Sequence, residues 1–336
     1  MIDKFNEYIN KHTICPYCLN NYLDMIRVSS IFEGVDVVKS KKRHPFREAP
    51  RYKVDVRSMS ILVPTHGCVN SCKFCVSKIS NKDEYKDLSK EEMFQEEYFK
   101  QFEKVSKMGC TYAILTGTGE PIQNKPFLKM IGEMNSRLEK PFQLEIQTSG
   151  VMLDDANLDF LKNEVGVYLI SLSVSNIFDD KSNAEIIRMH PRLQFNIKDL
   201  CHRIKAKGFQ LRLSLNLVNI YDQKSPEETM ERIKDLRVDQ ATLRVLWAGH
   251  EDNEISRWIK SNKVSERWVD NIEIYCMEHG KDIGGNYPKF ELGNLTVVID
   301  KDCMAEHSVG EIRYLILRSD CGLYTRWDTK ASLFRD

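Results

Sequence analysis

Apolar positions along this chain recur in two alternating rhythms. Short runs rich in aliphatic and aromatic residues are each followed by a stretch in which apolar side chains return every three or four positions. The first run is Ser58–Val63. Phe94, Tyr98, Phe102 and Val105 then mark one face of a helix, and Ser89-Lys90-Glu91-Glu92 at its start has the form of a capping box. Tyr112–Leu115 is the second run. Pro126 suits the first position of the next helix, whose buried side carries Phe127, Ile131, Met134 and Leu138. Phe142–Gln147 is the third run, with a helix over Asn157–Lys162 after it. Tyr168–Val174 is the fourth, followed by a helix with Ile197, Leu200, Cys201 and Ile204 on one face and Gly208 at its end. Gln210–Leu217 is the fifth. Ser225-Pro226-Glu227-Glu228 opens the next helix with a cap, an early proline and an acidic first turn. Ala241–Leu246 is the sixth run, and Val264–His279 the last helix.

Six strand-then-helix units in succession predict a parallel sheet with helices packed on it. Eight such units close a barrel, so the expected fold class is α/β, a partial (βα)6 TIM-like barrel. It occupies residues 57–280. Residues 1–56 form an N-terminal leader. Residues 281–336 form a β-rich C-terminal extension, with strands at Asn294–Asp300, Glu311–Arg318 and Gly322–Trp327, suited to act as a lid.

Composition narrows the function. At 336 residues and 42% hydrophobic, the chain has ample material for one large core. Lys+Arg and Asp+Glu both number 49, whereas a grip on a nucleic-acid backbone usually needs a basic excess. No apolar run approaches the ~20 residues of a membrane helix, and Met1–Asn6 lacks the pattern of a secretory signal. Ten cysteines, three of them clustered, read as metal chemistry in a reducing compartment rather than a disulfide framework. Cytoplasmic is the expected location.

The cluster is Gly67-Cys68-Val69-Asn70-Ser71-Cys72-Lys73-Phe74-Cys75, directly after the first strand. Three thiolates on one tight loop suit the corners of an iron–sulfur cube and leave one iron for another ligand. A zinc knuckle completed by a distant residue is the alternative. A second pair, Cys15 and Cys18 in Cys-Pro-Tyr-Cys, is half of a zinc or cluster site; Cys303, Cys321 or a histidine would complete it.

Cys68, Cys72 and Cys75, with aromatic Phe74 before the last, resemble the radical S-adenosylmethionine (SAM) superfamily, where SAM chelates the open iron of a [4Fe–4S] cluster. Gly117-Thr118-Gly119-Glu120-Pro121, ending the second strand, resembles that superfamily's Gly-Gly-Glu-Pro motif, with Thr118 splitting the glycines. There the backbone and the acid contact the SAM amino group. Gln147-Thr148-Ser149-Gly150 is similar to a Thr-Asn-Gly segment of the molybdenum-cofactor precursor synthase branch, with Ser149 in place of asparagine. Ser171–Ser175 resembles its Ser-Leu-Asp segment. The resemblance gives Thr148 and Ser173 to the methionine carboxylate or ribose, Asn216 to the ribose, Arg244 and Leu246 to the adenine side, and the Phe74 backbone to the adenine edge. It covers residues 58–250 and neither terminus.

The implied chemistry is reductive cleavage of SAM to a 5′-deoxyadenosyl radical that takes a hydrogen atom from a substrate, with an electron donor of the flavodoxin or ferredoxin type. A small molecule such as a nucleotide is the expected substrate, with Arg318, Tyr324, Arg326 and Trp327 (joined by Arg313) suited to an anionic, ring-bearing one. RNA or peptide modification is the alternative. Gly117 to Asn124 matches the Gly-x-Gly-Glu-Pro-x-x-Asn of the RNA-methylating branch, for which Cys321 would serve as the second reactive cysteine. A non-catalytic iron–sulfur or zinc protein for electron transfer or assembly is the reading of another class.

Overall fold

The computed structural model describes residues 53–78, 86–249, 252–285, 287–301, 311–327 and 332–334. The chain divides into two units, Met1–Lys53 and Val54–Asp336, and the second is the one described. In chain order its elements are β1 (Lys53–Leu62), α1 (Glu92–Lys107), β2 (Tyr112–Thr116), α2 (Lys125–Ser136), β3 (Gln143–Thr148), α3 (Asp155–Phe160), β4 (Val167–Val174), α4 (Asp180–Ile186), α5 (Ile197–Ala206), β5 (Gln210–Leu217), α6 (Pro226–Asp235), β6 (Gln240–Val245), α7 (Glu254–Asn262), α8 (Glu266–His279), β7 (Lys281–Asp282), β8 (Lys289–Leu292), β9 (Leu295–Asp300), β10 (Glu311–Leu317) and β11 (Leu323–Tyr324). Among the described residues the strands form one sheet in the order β11-β10-β1-β2-β3-β4-β5-β6-β9-β8-β7.

β1 through β6 pair in parallel, each with its sequence neighbour. This is the α/β partial barrel that the alternating rhythm predicts. Antiparallel strands from the tail flank it: β8 on β9, β7 on β8, and β11 on β10. β9 itself runs parallel to β6, with Arg244 opposite Asp300. The extension therefore adds a seventh parallel strand at one edge, while β10 joins β1 at the other.

The two faces of the parallel strands differ. Met59, Ile61, Leu115, Ile146, Leu172 and Leu243 on one face are fully buried. They share one core with helix residues such as Tyr98, Phe102, Phe127 and Ile204. Burial at this scale is the main stabiliser, about 1.5–3 kcal/mol for each such side chain. The alternate positions, discussed below, are mostly polar.

Two local expectations change. Ser89 does not cap α1. It lies in a 3-10 turn, Leu88–Lys90, and donates its hydroxyl and its N–H to the Asp87 carboxylate. A charged acceptor two residues away outcompetes the helix start, and Glu91 at the N-cap makes no side-chain bond. Leu138 is buried but lies past the end of α2, which stops at Ser136. Elsewhere the caps behave as their sequence indicates: Asn124, Asp154, Ser225 and Ser265 each accept from the first turn of the helix that follows.

Candidate cofactor site

The cysteine loop leaves the C-terminal end of β1, where βα folds place their reactive groups. Cys68 is exposed, and Cys72 and Cys75 are half-buried. Three contacts seat the loop. The Lys73 N–H donates to the Ile186 carbonyl at the end of α4 (3.1 Å). Val69, Cys72 and Phe74 pack on a small cluster of Val151, Ala184, Ile187 and Met189. The Phe74 ring also lies 6.3 Å from that of Trp258 on α7. Among the described residues no trio of His, Cys, Asp or Glu converges on one ion; a cube asks its three thiolates for separate corners.

Burial disfavours the thiolate at two of the three cysteines. Burial holds the Cys68 thiol above its ordinary range and pushes Cys72 up to about 12, with Cys75 and Cys68 adding like-charge repulsion. A coordinated metal removes such protons. The Asn70 N–H points at Cys68 Sγ (3.4 Å), and Ser77 Oγ lies 2.9 Å from Cys75 Sγ.

The Gly-Thr-Gly-Glu-Pro turn at the end of β2 lies against this loop. Ser77 Oγ donates to the Thr118 carbonyl (3.1 Å), and the Val69 N–H to Gln123 Oε1 (3.0 Å). The glycines permit the approach. A Cβ on Gly119 would lie 2.2 Å from the Gly67 carbonyl oxygen and 2.3 Å from Thr65 Oγ1; on Gly117 it would lie 2.7 Å from the Val63 carbonyl oxygen. Asn124 adds a further tie, its amide donating to the Pro64 carbonyl (2.8 Å) while its oxygen caps α2.

Glu120 is the centre of this junction and is buried. Ser149, past the end of β3, donates to Glu120 Oε2 from its hydroxyl (2.7 Å) and its N–H (3.0 Å), and accepts from Asn70 Nδ2 (2.8 Å). Burial raises the Glu120 pKa, and the neighbouring Thr148, Ser149 and Ile122 backbone counter it. The other oxygen, Oε1, is buried without a partner, as are Thr65 Oγ1 and Asn70 Oδ1. Unmet acceptors of this kind call for a donor. A carboxylate with one oxygen held and one free, beside three thiols, fits an ammonium-bearing ligand on an iron–sulfur centre. The donor set thus suits SAM and its cluster.

Other residues expected at the site fall into distinct places. Ser173 is half-buried on the inner face of β4. Asn216 is buried on that face of β5, its amide 3.5 Å from the Val174 carbonyl. Arg244 ends β6 in an ion pair with Asp300 (3.2 Å), and Leu246 follows, buried in the main core. The tail residues lie apart from the Glu120 junction. Arg318 is buried, donates to the Arg326 and Trp327 carbonyls, and stacks on Tyr324 (4.9 Å). Tyr324 donates to Asp320 (2.7 Å) and packs with Trp327 on Leu62. Arg313 pairs with Glu311. Cys321, buried with positive φ, faces the Phe94 carbonyl, and burial raises its pKa to about 11. Cys15, Cys18 and Cys303 lie outside the described residues. Sequence reasoning missed the roles of Trp258, Asn70 and Asp300. Trp258 and Asp300 stand in no motif, and Asn70, inside the cysteine loop, takes its role only from Ser149 across the junction.

No curated protein matches the sequence. Among solved structures, histidine-tagged anSMEcpe with bound AdoMet is similar at a TM-score of 0.53 and 14% identity, covering 80% of this chain and 71% of that one. Native anSMEcpe with bound AdoMet and Cp18Cys peptide gives 0.52 and 13%, covering 81% and 74%. Coproporphyrinogen III oxidase (HemN) from Escherichia coli, a radical SAM enzyme, gives 0.46 and 16%, covering 70% and 55%. The family model for the radical SAM superfamily matches residues 62–209, from the end of β1 to the edge of β5. That stretch, a little under half of the chain, holds both the cysteine loop and the Glu120 junction, and over it the chain is similar to the radical SAM superfamily.

Proposed function

We propose that Cys68, Cys72 and Cys75 hold the cluster, that Glu120 receives the SAM ammonium, and that the enzyme acts on a small molecule. When bound, the cluster and SAM supply one-electron cleavage of a sulfonium and a 5′-deoxyadenosyl radical able to take hydrogen from an unactivated C–H bond. The observation that carries the proposal is the buried, half-satisfied Glu120 carboxyl set against the cysteine loop.

Each residue has a defined task. Gly117 and Gly119 let the backbone come close, and Ser149 fixes the rotamer of Glu120 while tying it to Asn70 on the cysteine loop. Phe74, braced by Trp258, holds the loop between two ligand cysteines. The reductant is an external carrier of the flavodoxin or ferredoxin type. Among the described residues, no helix is long and apolar enough to cross a membrane.

The test is anaerobic reconstitution with iron and sulfide, reduction by dithionite, and chromatography for 5′-deoxyadenosine. The expected result is a four-iron absorbance band and SAM-dependent deoxyadenosine, both lost in Cys72→Ala. A cluster without deoxyadenosine would favour the electron-transfer reading instead.

A further inference from the structure

The inner face of β4, β5, β6 and β9 is built in polar layers. Register places Ser171, Arg212 and Gln240 side by side, then Ser173, Ser214 and Thr242, then Asn216, Arg244 and Asp300. From Ser171, Arg212 and Gln240 onward, no inward position of β4, β5 or β6 is apolar. Central strands of a packed sheet are normally apolar on both faces. Here the Arg212 and Arg244 side chains keep 22% and 33% of their exposure although they stand in the middle of the sheet. The face is open, and it is wettable.

Its groups are unevenly satisfied. In the deepest layer Arg212 donates through Nη1 to the wholly buried Glu145 (2.6 Å) and through Nε to Gln240. Tyr112 donates to the same Glu145 oxygen (2.6 Å). This network makes a polar floor, although Glu145 Oε1 is buried without a partner. Above it Ser214 Oγ is buried with no partner, as is Ser175 Oγ just past β4. At the rim Arg244 is held by Asp300 through Nε alone, and its terminal nitrogens bond no described residue. A polar floor, a row of hydroxyls with an unmet member, and an arginine whose terminal nitrogens bond no described residue share one face of the sheet. An apolar occupant would strip water from these groups and return nothing. A planar guanidinium held from behind by a carboxylate is a ready receptor for an oxyanion.

We propose that this inner face is the substrate site, and that it takes a small, oxygen-rich molecule whose carboxylate or phosphate lies on the terminal nitrogens of Arg244. The proposal rests on the cofactor assignment above and adds the substrate class to it. Asp300 is the positioning residue for Arg244, and the Ser173–Ser214–Thr242 row meets the body of the substrate, so Ser173 and Arg244, which the sequence resemblance gives to SAM, pass to the substrate.

The experiment uses the reconstituted full chain with SAM and dithionite. A cell extract is filtered to remove macromolecules, and the filtrate is split on an anion exchanger at neutral pH. Each fraction is scored for 5′-deoxyadenosine above the background without additions. The stimulating activity is expected in the retained, anionic fraction. Arg244→Ala should need about ten-fold more of that fraction or beyond for half-stimulation, with Arg244→Lys between the two. Phosphatase treatment separates the sources: loss of stimulation identifies a phosphate ester, survival a carboxylate.

Stimulation found in the unretained fraction or only in the macromolecular retentate overturns the proposal, as does an unchanged dose response in Arg244→Ala. A ten-fold loss of SAM affinity in Arg244→Ala, measured by equilibrium dialysis, overturns it by assigning Arg244 to the cofactor. Background deoxyadenosine that no fraction raises counts against the site alone. Absence of deoxyadenosine under every condition defeats the cofactor assignment, and this proposal with it.

Discussion

Ser149 gives Glu120 Oε2 two hydrogen bonds, one from its hydroxyl at 2.7 Å and one from its backbone N–H at 3.0 Å. Both leave Oε1 of the same buried carboxyl without a partner. One oxygen is immobilised so that the other can be presented. Glu120→Gln should therefore weaken SAM binding about 10–100-fold, the loss of a hydrogen bond between charged groups worth ~1.5–3 kcal/mol. Ser149→Ala leaves the N–H bond in place, and a several-fold loss is expected from one neutral bond of about 1 kcal/mol. Equilibrium dialysis of SAM against the reconstituted proteins measures both.

Gly119→Ala places a methyl 2.2 Å from the Gly67 carbonyl oxygen, a backbone atom that moves only with the cysteine loop. Overpacking of this kind costs about 1–3 kcal/mol. The expected outcome is a lower iron content per chain after reconstitution together with a reduced unfolding midpoint. An unchanged iron content would show that the two loops separate without consequence.

Arg212→Met strands the wholly buried Glu145 carboxylate, with an expected loss of about 3–5 kcal/mol in chemical denaturation. Adding Glu145→Gln removes the buried charge and keeps an acceptor for Tyr112, so the double variant should recover part of that loss. A double variant as unstable as the single one would mean that packing of the Arg212 stem, and not its charge, is what matters.

Three core thiols shape the alkaline limit. Burial pushes Cys201 and Cys276 up to about 12 and Cys110 to about 11, from an ordinary value of 9.0. The folded state resists ionising them and the unfolded chain does not. Their contribution is thus whole below pH ~9 and drains away as the pH climbs toward 11–12. Stability measured by urea unfolding should fall over that window, with a shallower slope in Cys201→Ala.

Trp258→Leu should leave the fold intact and loosen the cysteine loop, because the 6.3 Å contact with Phe74 is the loop's tie to α7. Aromatic pairs contribute roughly 0.5–1.5 kcal/mol beyond the area they bury. Iron loss to a chelator, followed by absorbance, should speed up several-fold. Equal rates in the variant and the parent would assign the bracing to the Lys73–Ile186 backbone bond instead.

Much of this architecture was legible because it is local. The β5 limits, Gln210–Leu217, follow from the run of leucines alone, and the N-cap at Ser225 from the residues beside it. The two loops of the cofactor site are contiguous motifs and were equally plain. What stayed hidden depends on partners far along the chain. Ser89 read as a cap until Asp87 took its hydroxyl. Leu295–Asp300 read as part of a separate extension, since nothing within a few residues announces that its partner is β6. Arg244 was noticed, but its charge partner lies 56 positions away. The polar inner face is a property of register between strands, and register is not written in any one of them.

The placement of β10 has a consequence for the order in which the molecule is made. β1, which delivers the cysteine loop, is among the first described segments to leave the ribosome, yet its outer neighbour is Glu311–Leu317. Leu62, a few residues before Cys68, waits for Ile316 and Tyr324 to cover it. Throughout synthesis of the barrel, then, the strand beneath the cysteine loop has one side open. Contacts between residues so distant close late. The edge of β1 behind the cysteine loop is covered only once β10 and β11 have been made.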